Sequence, residues 1–402
     1  MKSTPHPKRH CMVVFAFYPL AETRVQRQAE ALLENGYEVD VICLRSSTEA
    51  AFEDVRGVNV YRLQVRRVLW FSGTLGRFLA YLLFLILATF KLIPLYLKRR
   101  YGVVQVHNLP DFLIFCTLFP KLMGAKSILD IHDVMPEFFA EEANRPMDSW
   151  PVKIVTWQEQ ISCRFADHVI TVTELWRRSL IERGVSAEKS SVVMNLADHH
   201  LFYSDIRQQN NHHPNGTFRL IYHGTQASRH GLDTILYALD KVRAEVPNLC
   251  VVLHGRGDFH EELVKIVDKL NLDSQVKFST AFMPVDDLPG FIAQHDAGVV
   301  PYKNDVFTGG ILPTKLLEYT ALGMPSIAAR TPAVQDYFEE TMVQYFEPGD
   351  IDELAKKLVE LYHDKNLQQK LIKEGRRFND RYNWPNESAN YVKLIDRLNN
   401  AR

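Results

Sequence analysis

Residues Tyr302 to Ala329 read YKNDVFTGGILPTKLLEYTALGMPSIAA, in the order loop, helix, stop and strand. Gly309-Gly310 allows a bend whose backbone N–H groups can turn toward a ligand. Pro313 suits a first helical turn, Lys315 falls in that turn, and Glu318 follows one turn later on the same face. Gly323 is placed to end the helix and Pro325 forbids its continuation, so PSIAA reads as a short buried strand. A glycine loop feeding a helix N-terminus offers unpaired N–H groups and the positive end of the helix dipole, which together suit an anion. A cation and a carboxylate one turn apart add one group for phosphate and one for sugar hydroxyls. The stretch is therefore expected to bind a sugar nucleotide.

The chain around this stretch has 402 residues, 46% of them hydrophobic, which is material for two cores. A formal net charge of -1 argues against nucleic-acid binding driven by global charge. The five cysteines, Cys11, Cys43, Cys116, Cys163 and Cys250, form no C-x-x-C pair and read as buried reduced thiols. The opening MKSTPHPKRH is polar and no secretory apolar core follows it, so the expected location is the cytoplasm, extending to the inner face of the cell membrane.

Upstream, CMVVFAFYP reads as a strand, a helical period begins near Thr23 and closes at Gly36, and YEVDVICLR is a second strand. Such a β-α-β opening predicts a parallel sheet. The turn YPLAETR contains no glycine, which argues against a G-x-G-x-x-G dinucleotide site and an NAD-dependent dehydrogenase. VNVYRLQVRR is expected to be a further strand ending at Arg66 and Arg67. Residues 77–100 follow, the most apolar part of the chain, interrupted by Lys91 and Pro94 and closed by Lys98, Arg99 and Arg100. Three readings remain open for it: a membrane span, a helix covering the sheet, or a segment lying in a membrane interface with its cations on anionic head groups. FLIFCTLFPKLMG reads as a helix ending at Gly124. In LDIHDVMPE, His132 and Asp133 stand where a strand should end, which is where open α/β sheets bind ligands.

SDIRQQNNHHPNG is polar and without apolar period, and marks a domain boundary. Its His212 and His213 are not read as a metal site. Beyond it the strand-helix alternation restarts, through LHGRGD and the opening stretch, to two helices broken at Trp384-Pro385. The expected organisation is an acceptor domain over 1–203, a linker over 204–217, a nucleotide-sugar domain over 218–377, and a C-terminal helix over 378–402 that packs back on the first domain.

Taken together, LDIHDVMPE, VVMNLADHHLF, HGTQASRHGLDTILYAL, LHGRGD and LPTKLLEYTALGMPSIA, in this order, resemble the family 4 retaining glycosyltransferases, in the variant with a P-[ST]-K-x-x-E-Y donor-site motif found in polysaccharide assembly. The resemblance implies an α/β GT-B fold: two Rossmann-like doubly wound domains facing across a cleft, with the last helix crossing back. It implies a nucleotide-diphosphate sugar donor, no metal and no cofactor. By position, Glu318 matches the carboxylate on the nucleotide ribose. Gly309, Gly310, Ile311 and Leu312 match the loop at the diphosphate and sugar, Lys315 a phosphate partner, His132 and Asp133 the first-domain residues near the transferred sugar, and Gly255, Arg256 and Gly257 the turn beside the base. Two departures stand out. The family places Arg after Gly224 and Lys before Gly231, where this chain has Thr225 and His230. Arg229, Lys315 or Arg256 would have to replace those cations, and Gly310 stands where a Glu usually touches the donor sugar. The segment 77–100 suggests a lipid-linked or membrane-surface glycan as acceptor. Two alternatives are a GT-B sugar-nucleotide epimerase and a non-catalytic membrane-associated homologue.

Overall fold

The computed structural model describes residues 8–19, 22–65, 74–203, 205–208 and 216–401. Arg66, Arg67, His212, His213 and most of the expected linker lie outside the described residues. The chain divides into two compact units, Met1–Met194 with Pro385–Arg402, and Asn195–Trp384.

The first unit carries an eight-stranded sheet built from β1 (Lys8–Val14), β2 (Tyr37–Leu44), β3 (Phe52–Val55), β4 (Val58–Leu63), β5 (Val103–His107), β6 (Lys126–Ile131), β7 (His168–Thr171) and β8 (Ser190–Val192). Their order is β3-β4-β2-β1-β5-β6-β7-β8, and only the edge hairpin β3–β4 is antiparallel. Central strands such as β5 are buried along their whole length, as a parallel sheet covered on both faces requires. The second unit carries β9 (Phe218–His223), β10 (Leu249–His254), β11 (Val276–Ser279), β12 (Ala297–Val300), β13 (Ser326–Ala329) and β14 (Gln344–Phe346), all parallel, in the order β11-β10-β9-β12-β13-β14. Both sheets therefore reverse their winding at one point, beside β1 and beside β9, and residues at the carboxyl ends of the neighbouring strands line the crevice such a reversal creates.

Three sequence expectations are corrected here. The first unit ends at Met194 and recovers the chain at Pro385 rather than at residue 378. Phe378 stacks on Phe338 at 4.5 Å, and the Asn379 side-chain amide donates to the Thr320 carbonyl at 3.1 Å, so helix Lys365–Arg381 stays with the second unit. The last helix, Trp384–Asn400, buries Tyr391, whose hydroxyl donates to Gln105 Oε1 at 2.7 Å in the first.

The segment read as one helix ending at Gly124 is a 3-10 turn, Asp111–Thr117, followed by a short helix, Leu118–Leu122. An α-helix running through it would drive the Pro120 ring into the Cys116 carbonyl. Conversely, the apolar segment is not interrupted. One helix runs from Thr74 to Arg99 through both Lys91 and Pro94. Pro94 sits on the exposed side, where its missing N–H leaves nothing buried unpaired, and the Lys91 ammonium lies 4.6 Å from the Tyr61 ring centroid. This helix buries one stripe, Ala80, Phe84, Ala88, Leu92 and Tyr96, and Phe15 packs edge-on against Tyr81 and Phe84. Its other side stays open: Phe78, Leu79, Ile86, Phe90 and Leu97 are exposed, and only 28% of its most apolar window is buried.

Candidate functional site

In the first unit, β5 and β6 end side by side, with His107 in register with Asp130. His132 follows two residues later. Its backbone N–H donates to Asn108 Oδ1 at 2.8 Å, and the same amide group donates to the Asp133 carbonyl at 2.6 Å, which fixes the turn carrying both predicted residues. The ring of His132 places Nε2 3.0 Å from His107 Nδ1 and Nδ1 3.8 Å from Glu22 Oε2. Beneath them Asp130 is fully buried. Its oxygens accept from Arg24 at 2.8 and 3.3 Å, from Gln28 at 3.0 Å and from Gln105 at 2.9 Å. Burial opposes its charge, but Arg24 and the two histidines hold its carboxyl well below the usual range. Burial, aided by Arg24 and His107 against the pull of Asp130, lowers His132 to about 3, so its ring is neutral at pH 7. Glu22 is driven the other way, up to about 7, by burial and by Asp130 and Asp133, with Arg24 opposing.

The ligand atoms of His107, Asp130 and His132 lie within 4.8 Å of one another. They do not fit a metal ion, because Arg24 already occupies the Asp130 carboxylate and would face the ion at close range. Sequence reading had found His132 and Asp133. It misses Glu22 and Arg24, which sit at the end of the stretch YPLAETR, and His107, Asn108 and Asp130, whose only signals are polar residues in the otherwise apolar runs QVHN and LDIHD.

In the second unit, β9 and β10 end in register at His223 and His254, and a glycine follows each. Gly255 has φ +126°, and a Cβ there would lie 2.0 Å from the Gly224 carbonyl oxygen. A Cβ at Gly257 would lie 2.1 Å from the Gln226 carbonyl oxygen. The two turns thus abut backbone to backbone, which side chains would prevent. The opening stretch closes over them. Helix Thr314–Ala321 starts after Pro313, which is the residue preceding its first turn rather than part of it. Glu318 is held from below: its Oε2 is 2.5 Å from His223 Nε2, while His223 Nδ1 is 2.9 Å from the Tyr319 hydroxyl. His223 was not anticipated, since 95 residues separate it from Glu318.

Lys315 is 6% exposed, and a Cβ on Gly224 would meet its Cε at 3.5 Å. Its Nζ donates to the Tyr302 hydroxyl at 2.6 Å and lies 5.0 and 4.8 Å from the ring centroids of Tyr222 and Tyr302. Burial disfavours the ammonium, but Tyr222, Tyr302 and Glu318 outweigh it, so Lys315 stays charged. Among the described residues no carboxylate forms an ion pair with it.

His230 is a different matter. It is buried, stacks on Tyr302 at 4.5 Å, and has Nδ1 2.7 Å from the Thr225 carbonyl. Burial and then Lys315 lower it to about 3, so it supplies no cation. Arg256 is exposed, and its Nε donates to the Thr280 carbonyl at 2.6 Å. Of the three cations that sequence position left equal, Lys315 is the one packed against Gly224.

The glycine loop corrects a further expectation. Gly309, Gly310 and Ile311 are not free donors: their N–H groups bond the carbonyls of Asp305, Phe307 and Thr308 at 3.0 to 3.2 Å in a 3-10 turn. Asp305 tightens the turn by accepting from the Phe307 and Thr308 amides at 2.9 and 2.8 Å. A Cβ on Gly309 would strike Asn304 Oδ1 at 2.5 Å, so close packing rather than flexibility calls for glycine. Leu312 is buried beside them and Ile311 half-buried. The helix's own first amides, at Thr314 and Lys315, have no partner inside the helix.

Comparison with known proteins agrees with this pair of units. Residues 21–195 match the glycosyl transferase 4-like domain model, and residues 204–378 match the glycosyl transferases group 1 model. The sulfoquinovosyl transferase SQD2 of Arabidopsis thaliana is 24% identical over 68% of this chain, and the match spans about half (52%) of that protein's length. The chitobiosyldiphosphodolichol beta-mannosyltransferase of Candida albicans is 22% identical over 92% of this chain and 84% of its own. The crystal structure of Anabaena HepE in complex with UDP is similar in fold, with a TM-score of 0.72 at 15% identity, covering 96% of this chain and 99% of that one. With one family model on each unit, the chain belongs to the glycosyltransferases of the GT-B fold, a glycosyl transferase 4-like domain followed by a group 1 domain.

Proposed function

We propose that the protein transfers a sugar from a nucleotide diphosphate to a hydroxyl of a lipid-linked glycan, with retention at the anomeric carbon and without a metal ion. The observation that carries this reading is Lys315: a buried ammonium with no carboxylate ion pair among the described residues, packed against the Gly224 turn one helical turn from Glu318. A buried cation held by hydroxyl and ring faces keeps its charge available for a departing diphosphate, the role a metal fills elsewhere. Glu318, oriented by His223, accepts from the two ribose hydroxyls. On the first unit, neutral His132 has a ring nitrogen suited to hydrogen-bond the sugar or acceptor without adding charge. The acceptor assignment draws on the open apolar face of helix Thr74–Arg99, which contains no acidic residue and ends in Lys98 and Arg99. The names of relatives that act on lipid diphosphate-linked sugars agree with it. On this reading the protein works at the cytoplasmic membrane surface, with no resident cofactor.

A thermal-shift screen against UDP-, GDP- and ADP-sugars with chelator present tests the donor half. One nucleotide class should raise the melting temperature, and none doing so would reject the reading. The anomeric configuration of the product, read by NMR coupling, tests retention.

A further inference from the structure

The loop that holds His132 borders an apolar cavity that the reaction described so far does not use. Its volume is about 230 Å³, and its walls come from the apolar helix (Phe78, Tyr81), the β5 loop (Leu109), the helix after His132 (Met135, Phe138) and helix Trp150–Phe165 (Ile154). Leu109 follows Asn108, the residue that accepts the His132 N–H, and Met135 lies three residues beyond His132, so the segments that leave the histidine turn also line the cavity. The cavity opens on the exposed side of the unit, where Phe78 and Ile154, both lining residues, are 47% and 54% exposed. There it joins the unburied face of helix Thr74–Arg99. The charged pair at its edge, Arg77 with Glu142 at 2.9 Å, is neutralised within the protein. Nothing in the lining calls for a polar guest.

We propose that this cavity takes the first segment of the acceptor's polyprenyl chain, seating the lipid so that its glycan end lies at the His132 turn. The proposal rests on the lipid-linked acceptor reading above and adds where the chain goes. Size supports it: an apolar cavity of about 150 Å³ accommodates benzene, so this one has room for roughly two isoprene units. Lining chemistry supports it too, since Phe78, Tyr81, Phe112 and Phe138 offer ring faces and edges against which a methyl-branched, unsaturated chain packs. Continuity is the third support. A chain leaving the bilayer along the exposed Phe78–Phe90 face reaches the cavity without crossing water, while Lys98 at the far end of the same helix meets anionic head groups.

The test is calorimetric titration of the full-length protein, without donor, by geranyl phosphate, decyl phosphate and inorganic phosphate. Geranyl phosphate should bind saturably, decyl phosphate more weakly and inorganic phosphate not at all. Ile154→Glu, at an exposed position that leaves folding intact, and Val155→Trp, which fills the cavity, should each weaken geranyl phosphate by about tenfold or more, an effect well above titration error. Both variants should keep the wild-type melting temperature and nucleotide-sugar binding. Absence of saturable geranyl phosphate binding, equal binding of decyl phosphate, or indifference to both substitutions would overturn the proposal. Failure of the transferase reading shows separately, as no donor nucleotide bound by the wild-type protein.

Discussion

The two units treat buried charge in opposite ways. In the first, Asp130 and Arg24 cancel each other at 2.8 Å, two glutamines satisfy the remaining lone pairs, and His132 rests on that network as a neutral ring. In the second, Lys315 keeps its charge through a tyrosine hydroxyl, two ring faces and the field of Glu318 one turn away, with no carboxylate in an ion pair with it among the described residues. Removing one member of a neutralised buried network leaves the other charge uncompensated and costs folding, whereas a buried charge outside any ion pair is a candidate for a ligand to complete. On the proposed function, this difference gives the first cluster positioning and the second electrostatics.

Breaking the first should therefore cost folding more than chemistry. Asp130→Asn leaves Arg24 buried and without its counter-charge, which typically destabilises by about 3–5 kcal/mol. Because Gln105 links Asp130 to Tyr391, undocking of the last helix should accompany the loss. Hydrogen exchange over β5, β6 and 384–400 checks this, and protection at wild-type level would show that the network is dispensable.

The mirror-image substitution is Lys315→Met. Here the hydrophobic stem is kept, but the ammonium's hydrogen bond to Tyr302 and its attraction to Glu318 are lost, so the melting temperature should fall only modestly. Turnover should fall roughly 10²–10³-fold, the usual effect of deleting one donor that stabilises a developing anion. A variant that unfolds but retains its specific activity would reverse the comparison.

Glu318→Gln probes a smaller quantity, one charge-assisted contact. Donor affinity in calorimetry should drop by about 1–3 kcal/mol. His223→Asn should reproduce part of this loss through misorientation of the carboxylate, with turnover at saturating donor less affected. Equal affinity in both variants would remove Glu318 from the ribose.

This contrast between units was only half legible in the sequence. Strand and helix order followed from apolar runs and glycine stops, and the positions of His132, Lys315 and Glu318 from motif spacing. Strands β3 and β14 escaped notice because neither is an apolar run of strand length: FEDV is half acidic, and the QYF of β14 opens on a buried glutamine. The partners of the site residues were illegible for a different reason. Arg24, His107, Asp130 and His132 come from a helix and from two strand ends, and converge only once the sheet order is known. Periodicity says which face a residue occupies, not what stands opposite. The glycine loop shows the same limit: Gly309-Gly310 suggested free amides, whereas the Asp305 turn consumes them.

The smallest effect separates the two histidines. Both His132 and His230 are lowered to about 3, chiefly by burial, so neither should gain a proton between pH 8 and 5. A histidine whose pKa is depressed from 6.5 contributes stability that is whole above pH 6.5 and is lost as pH falls toward the folded value, because only the unfolded chain takes up the proton. Glu22 has the opposite sign. With its carboxyl raised to about 7, the folded state holds a proton that the unfolded chain releases near 4.5, so its contribution is lost as pH rises through that window. Since Glu22 lies 3.8 Å from the His132 ring and no such carboxylate touches His230 among the described residues, the ring resonances of His132 should shift with a midpoint near 7 while those of His230 stay flat. Glu22→Gln should abolish the His132 inflection and leave His230 unchanged. A His132 transition that survives that substitution would mean the ring itself titrates, and the first cluster would then carry a switchable charge like any exposed histidine.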